Sequence, residues 1–229
     1  MDPQTLPVEE LALYTSLKKQ LKLAFEPLKV QKYRLNLLKA TDLEQLLDGK
    51  DPLKNVSDFP LWTRLWEAAI VLANYFAGQK PQPGTSLLEL GAGLGASGLV
   101  AAAVGYEVTL TDFEERIQQF QRINAAASNL PGVRFEFLDW FNPSDIGQYD
   151  VIAGSEILYR DEFFEPLIHI FKTALRPGGE IVLSHDASRR NIAPFFELAQ
   201  QDFTISVVKR TLKSLEGDKV ILLSRLLRK

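Results

Sequence analysis

Short apolar runs alternate with stretches of helical periodicity along the last two-thirds of the chain. The apolar runs, which predict strands, span residues 87–90, 107–111, 133–138, 149–154 and 180–184. Between them, apolar residues recur at helical spacing, which predicts helices over residues 95–104, 114–127, 162–175 and 189–201. Alternation at this interval is typical of βαβ units, in which parallel strands form a sheet with helices on both faces.

Two further apolar runs follow, at residues 203–209 and 219–226. No helical stretch separates them and Gly217-Asp218 marks a turn, so they predict an antiparallel hairpin at the sheet edge. The predicted fold is therefore α/β: a Rossmann-like, doubly wound sheet of seven mostly parallel strands with a C-terminal antiparallel hairpin.

The first 84 residues have a different pattern. Residues 7–25 carry leucines at helical spacing, whereas Tyr33, Leu35 and Leu37 alternate as in a strand and leave residues 30–38 ambiguous. A further strong helix is predicted over residues 61–76. We therefore predict a mainly helical N-terminal extension over residues 1–60 and the seven-strand domain over residues 61–229.

Composition excludes several classes of protein and site. The 229 residues are 46% apolar and 24% charged, and the net charge of −3 gives no basic surplus for nucleic acid. With no cysteine and two histidines, the chain has no disulfide and no expected metal site. The absence of cysteine is compatible with a reducing cytoplasm, the predicted location. The uncharged stretch at residues 90–106 is glycine-rich and too short for a membrane span, so no membrane partner is expected.

A glycine-rich turn follows the first strand of the predicted sheet. Residues 89–98 read ELGAGLGASG, in which Gly93, Gly95 and Gly98 match the dinucleotide pattern G-x-G-x-x-G. Glycines let the chain turn tightly and bring a ligand against bare backbone at a helix N-terminus. Asp112 follows at the end of the second strand, at the spacing where an acid binds ribose hydroxyls. NAD and S-adenosylmethionine are both compatible with this arrangement.

Glu89 separates the two cofactors. A carboxylate two residues before the first glycine is expected to point into the cleft floor, where it would repel a pyrophosphate and attract a cationic amine. S-adenosylmethionine carries an amine and a sulfonium but no phosphate. The charge therefore favours S-adenosylmethionine, and an NAD-dependent oxidoreductase is the alternative from another class.

The segment 89–95 resembles the first motif of class I, seven-strand methyltransferases, and RPGGE at residues 176–180 resembles the turn before their fifth strand. The resemblance implies that the acid and the glycine turn receive the methionine moiety of S-adenosylmethionine. It also implies that the acid after the second strand binds the ribose and that the next residue flanks the adenine. These residues are Glu89, Gly91, Gly93, Gly95, Asp112 and Phe113.

A narrower resemblance is to the family-16 group, which includes many protein lysine methyltransferases. It is carried by DW at residues 139–140, by EILY at residues 156–159 and by the tryptophan-bearing segment ahead of the glycine motif. It implies that Asp139 binds the adenine amino group and that Trp140 stacks on the ring. Trp62 and Ser155 complete the cofactor-binding residues expected from the sequence.

Methyl transfer to an amine needs a neutral nitrogen aligned with the methyl group. Lysine enters as an ammonium ion, so the site must attract the cation and let a proton leave. Glu156 can pair with the cation and Tyr159 can orient it, since three-residue spacing on a turn brings both to one side of the cleft. No proline follows Ser155, unlike the motif of adenine-N6 methyltransferases, which argues against a nucleic-acid substrate. We expect a protein or small-molecule amine as acceptor.

Several alternatives stay open. A small-molecule methyltransferase and a non-catalytic binding module would share this fold, and the sequence makes no prediction of oligomeric state. His185, followed by Asp186, is expected to face the cleft mouth as a base for an oxygen nucleophile or to cap the strand end.

Arg189 is expected to be a solvated charge. Residues 85–185 contain 14 acidic and six basic side chains, which suits a cationic cofactor and substrate.

Overall fold

The computed structural model describes residues 1–47, 60–143, 146–189, 192–213 and 217–229. The helices are α1 (Val8–Lys18), α2 (Leu43–Leu47), α3 (Glu67–Ala77), α4 (Ala96–Val104), α5 (Glu115–Ala127), α6 (Phe164–Ala174) and α7 (Ile192–Ala199). The strands are β1 (Leu23–Val30), β2 (Tyr33–Ala40), β3 (Ser86–Leu90), β4 (Glu107–Asp112), β5 (Arg134–Phe137), β6 (Tyr149–Ser155), β7 (Leu175–Asp186), β8 (Phe203–Leu212) and β9 (Lys219–Arg228). Within these described ranges, no helix is long and apolar enough to cross a membrane.

Seven strands form one sheet in the order β5-β4-β3-β6-β7-β9-β8. The first five of these run parallel, and β9 is antiparallel to both of its neighbours. The predicted doubly wound sheet with its C-terminal hairpin is therefore confirmed. Because the strand order reverses between β3 and β6, their carboxyl ends border a crevice of the kind that binds ligands in such sheets.

Apolar side chains bury a core on each face of the sheet. Leu88 and Leu90 of β3 pack with α6 and α7, whereas Leu87 of the same strand packs with α3 and α4. This alternation follows from the two-residue period of a strand. It directs Glu89 toward α4, on the same face as Leu87.

The prediction of a mainly helical N-terminal segment is wrong where β1 lies, and the segment 30–38, which the pattern leaves ambiguous, contains the turn and most of β2. Helix α1 ends earlier than predicted, and β1 and β2 form an antiparallel hairpin. Leu35 and Leu37 are buried, so the period of two, rather than the helical period, describes this segment. Phe25 satisfies both periods, because it lies four residues after Leu21 and two after Leu23. The domain boundary at residue 60 stays a prediction, since residues 48–59 lie outside the described ranges.

Candidate active site

The glycine turn between β3 and α4 takes a backbone conformation that favours glycine. Gly91, Gly93 and Gly95 have φ values of 58°, 53° and 79°. A Cβ on Gly95 would lie 2.8 Å from a methyl carbon of Leu110. The turn therefore depends on glycine and presents backbone, rather than side chains, at the N-terminus of α4.

Glu89 lies beneath this turn and supports it. The residue is 1% exposed, and its carboxylate accepts hydrogen bonds from the Ser97 hydroxyl and from the backbone N–H of Gly98, the latter at 2.8 Å. Burial raises the pKa of Glu89 to about 7, although both hydrogen bonds act in the opposite direction. The expectation of a carboxylate open to the cleft is therefore corrected, because β3 turns this side chain toward the first turn of α4.

Asp112 ends β4 beside the turn, as predicted, and is half-buried. One carboxylate oxygen accepts the N–H of Gly93 and the other accepts the N–H of Phe113, each at 2.8 Å. Burial raises the pKa of Asp112 to about 6, against the lowering effect of these two hydrogen bonds. Since each carboxylate oxygen can accept a second hydrogen bond, the group can still bind two hydroxyls.

The residues predicted to surround the adenine lie at the carboxyl ends of β4 and β5. Phe113 is 61% exposed, and its ring centroid lies 5.7 Å from that of Phe137. Asp139 accepts hydrogen bonds from the two residues that follow Trp140, which orders its own turn. The half-buried ring of Trp140 lies against the first glycine of the turn and meets Phe163 edge-on, with centroids 5.1 Å apart. The structure thus brings these side chains to one rim of the crevice.

Two buried amides on α5 hold the glycine turn, and the motifs above do not identify them. Gln121 donates to the carbonyl of Gly93, and Asn124 donates to the carbonyl of Leu94, both at 3.0 Å. The side-chain oxygen of Asn124 also accepts the N–H of Leu38 in β2 at 2.6 Å. One side chain therefore joins the turn to the N-terminal hairpin. Amides three residues apart on an otherwise apolar helix face are the sequence signal for such a role.

Trp62 lies on the other side of the turn. A Cβ on Gly93 would lie 3.5 Å from the Trp62 carbonyl oxygen and 3.8 Å from its Cβ. The half-buried ring meets Phe120 of α5 edge-on, with centroids 4.9 Å apart. The tryptophan thus lies beside the glycine turn with its ring held against α5, in a short 3₁₀ helix ahead of α3 rather than in the helix predicted over residues 61–76.

Glu156 follows β6 with a φ of 56°, a left-handed conformation that is uncommon for residues other than glycine. Its carboxylate accepts the N–H of Asp186 at 2.7 Å and forms an ion pair with the Nε of Arg189. The Glu156 side chain is 10% exposed and that of Arg189 is 31% exposed. The expectation that Arg189 is a solvated charge is wrong, because the turn after β7 brings it back over the end of β6.

Ser155 is the last residue of β6 and is half-buried beside β7. Tyr159 is 39% exposed, and its ring centroid lies 5.1 Å from that of Phe163. Burial raises the pKa of Tyr159 and the charge of Asp112 adds to the effect, so the hydroxyl keeps its proton at neutral pH. Tyr159 and Glu156 thus follow the same strand but are anchored by different neighbours.

Contrary to the prediction, His185 does not face the cleft mouth. It is 1% exposed, and neither ring nitrogen has a hydrogen-bond partner within the described part of the chain. Burial lowers the pKa of His185 to about 4, and the Arg189 charge acts the same way. The ring packs 5.8 Å from that of Phe196 on α7, because this position of β7 points to the α6–α7 face.

In the part of the chain that the structure describes, no group of three or more histidine or acidic side chains is arranged to hold a metal ion.

The residues at these strand ends fit S-adenosylmethionine. The left-handed glycines leave a cradle that side chains would fill, and Asp112 has lone pairs free for two ribose hydroxyls. The exposed ring of Phe113 offers a flat surface for adenine. The choice between S-adenosylmethionine and NAD does not rest on Glu89, because its carboxylate is directed at α4 rather than at the cleft.

Comparison with known proteins agrees with this geometry. A family model described as lysine methyltransferase matches residues 60–202. The chain is 34% identical over 160 residues to EEF1A lysine methyltransferase 3 of Mus musculus, covering 63% of this chain and 68% of that protein. It is 32% identical over 149 residues to Protein N-lysine methyltransferase METTL21A of Xenopus tropicalis, covering 63% and 69% of the two chains.

Solved structures share the fold. Magnesium protoporphyrin IX methyltransferase (ChlM) from Synechocystis PCC 6803, solved with bound S-adenosylmethionine, superimposes with a TM-score of 0.59 at 16% identity. The match covers 82% of this chain and 90% of that one. With the glycine turn and Asp112 in place, the family match over residues 60–202 establishes that the chain belongs to the lysine methyltransferase family and is an S-adenosylmethionine-dependent methyltransferase.

Proposed function

We propose that this methyltransferase methylates the side-chain nitrogen of a lysine in a protein. The observation that carries the proposal is the Glu156 carboxylate, which lies at the end of β6, next to the strand that leads into the glycine turn. This carboxylate already holds one cation, the guanidinium of Arg189, in a partly buried place. Each carboxylate oxygen keeps a lone pair, so the group can also accept a hydrogen bond from the nitrogen of lysine. The lysine methyltransferase relatives support a protein as the acceptor.

The cofactor supplies an electrophilic methyl group on a sulfonium when it is bound. We assign ribose binding to Asp112 and the adenine surface to the aromatic rim. Glu89 acts indirectly, since it fixes the turn through Ser97 and Gly98. The full set proposed to hold or border the cofactor is Trp62, Gly91, Gly93, Gly95, Asp112, Phe113, Asp139, Trp140 and Ser155.

Glu156 and Tyr159 act on the acceptor. The carboxylate accepts a hydrogen bond from the lysine nitrogen, which must release its extra proton before it can attack. The protonated hydroxyl of Tyr159 can accept a hydrogen bond from the amine, and its ring face can pack against the lysine chain. Tyr159 would therefore orient the nitrogen without removing its proton.

Transfer of a tritium-labelled methyl group into a cell lysate tests the proposal. The lysate is separated into protein, nucleic-acid and small-molecule fractions, and the labelled protein is hydrolysed to amino acids. We expect methyl-lysine, and we expect E156Q to lower its yield at least about tenfold through loss of the cation site. The matched control is E180Q, which removes the carboxylate of another glutamate–arginine pair, with Arg225, in the middle of β7.

Three other outcomes would contradict the proposed acceptor or the proposed role of Glu156. Label confined to nucleic acid or to small molecules would refute a protein acceptor. Methyl-arginine in place of methyl-lysine would show that the site takes a guanidinium. Equal yields from E156Q and the wild type would refute the role of Glu156.

We also propose a cytoplasmic location, which the absence of cysteine supports. Fractionation of cells that express the tagged chain tests this. Recovery of the protein with organelles would refute it.

A further inference from the structure

We propose that Arg189 is a positioning residue that cancels the charge of Glu156 and so favours the uncharged, reactive form of the bound lysine. This inference rests on the proposed function, since it assigns a role to the partner of the proposed acceptor carboxylate. It goes beyond that function because it concerns proton release, which the family match does not address.

Two contacts of Glu156 carry the inference. The N–H of Asp186 holds one carboxylate oxygen at 2.7 Å, and the Nε of Arg189 pairs with the other. Only 10% of the Glu156 side chain is exposed, so water screens its charge poorly. Each oxygen keeps a lone pair, and the paired carboxylate can still accept a hydrogen bond from an amine.

The charge of the pair sets the protonation of the acceptor. An unpaired carboxylate stabilises the ammonium ion and raises its pKa, whereas a neighbouring cation disfavours it. The ammonium proton must leave to water before transfer. The nitrogen lone pair then forms the new C–N bond, and the electron pair of the broken C–S bond stays on sulfur. Since a guanidinium keeps its charge at all physiological pH values, Arg189 offsets Glu156 throughout.

Other ionisable groups near the pair do not replace Arg189. Burial raises the pKa of Asp186, but hydrogen bonds from Ser188 and nearby positive charges outweigh it, so the net shift is downward and the group is an anion. His185 is neutral, because burial lowers its pKa to about 4. Tyr159 is neutral as well, since burial raises its pKa. In the adjoining loop, Arg160 pairs with Glu162 at 3.1 Å, and Lys219 of β9 faces Asp186.

The pH dependence of methyl transfer tests the inference. The probe is the protein fraction of a cell lysate, added until the rate no longer rises, and methyl-lysine is counted at each pH. With R189Q we expect the midpoint of the rising limb to move up by about one pH unit, so the rate below the midpoint falls about tenfold. With E156Q the midpoint should move down. R189K keeps the positive charge, so its midpoint should equal that of the wild type.

Controls separate this role from a structural one. R225Q, which breaks the pair with Glu180 in the middle of β7, should leave the midpoint unchanged. Thermal unfolding and S-adenosylhomocysteine affinity of R189Q are measured in parallel, because loss of this mostly buried ion pair also costs stability. The affinity should stay near the wild-type value, since Arg189 pairs with Glu156 rather than with the glycine turn. If R189Q lowers activity equally at all pH values, or lowers it only in proportion to lost folding, the inference is overturned. If the wild type forms no methyl-lysine, the proposed function fails, and this inference fails with it.

Discussion

Replacing Asp112 by asparagine tests whether this carboxylate binds the ribose of the cofactor. The substitution keeps the size of the side chain and removes its charge. In the wild type each carboxylate oxygen accepts one backbone N–H, from Gly93 and Phe113, and keeps a lone pair for a hydroxyl. The amide has one accepting oxygen in place of two, so D112N cannot serve both N–H groups and both hydroxyls.

The expected loss follows from the strength of charge-assisted hydrogen bonds. A hydrogen bond to a charged group contributes about 1.5–3 kcal/mol. Loss of one such bond should weaken S-adenosylhomocysteine binding by about 10- to 150-fold. Isothermal titration calorimetry with purified protein measures this directly, and S-adenosylhomocysteine avoids turnover during the titration.

The pH dependence of the same titration gives a second readout. Burial raises the pKa of Asp112 to about 6, so protonation removes its charge as the pH falls below that value. Wild-type affinity should therefore be constant above neutral pH and weaken on the acid side of about pH 6. D112N, which has no titratable group at this position, should lose that component.

The matched control for this experiment is D150N. Asp150 also accepts several hydrogen bonds, from Ser86 and Arg176, but it lies at the opposite end of β6. D150N should lower the melting temperature and leave S-adenosylhomocysteine affinity unchanged. If D112N binds within about twofold of the wild type, the proposed ribose contact is wrong.

Two further substitutions address the support of the turn. Because burial raises the pKa of Glu89 to about 7, the folded chain binds more protons than the unfolded one from about pH 4.5 to 7, and its free energy of unfolding falls across that window. Urea denaturation should show that E89Q lacks this component, at most about 3 kcal/mol, and equal pH slopes would contradict the burial argument. Gly95 and Gly178 have φ values of 79° and 78°, but only a Cβ on Gly95 would meet a neighbour closely, at 2.8 Å. G178A should lose about 1–2 kcal/mol of stability, and G95A should lose more and also weaken S-adenosylhomocysteine binding; equal losses would refute the close contact.

The parts of the fold that the sequence predicts are those with local signals. Alternating apolar runs and a glycine turn identify β3 and its neighbours, because a strand and the turn after it are encoded by adjacent residues. Strand β1 is missed, because Phe25 satisfies both the helical and the strand period, and the alternation within β2 leaves residues 30–38 ambiguous. Only the packing of Leu35 and Leu37 decides between them.

In the candidate site as well, local sequence signals predict some features and long-range contacts decide the others. The positions of Asp112, Trp140 and Tyr159 follow from their places at strand ends, so the sequence locates them. The partners of Glu89 and Glu156 do not follow from it. Arg189 lies 33 residues beyond Glu156, and the contact depends on how the turn after β7 folds back. Whether a carboxylate faces a ligand or its own chain is decided by such distant contacts.

Asn124 places part of the control of cofactor affinity outside the crevice. Its amide binds the carbonyl of Leu94 on one side and the N–H of Leu38 on the other, and Leu38 lies outside the region matched by the family model. Coupling of this kind is reciprocal, so any stabilisation that the hairpin lends to the turn is returned to the hairpin when the cofactor binds. Divergence in β2 can thus retune the affinity of a relative for its cofactor while every residue that touches the ligand stays the same.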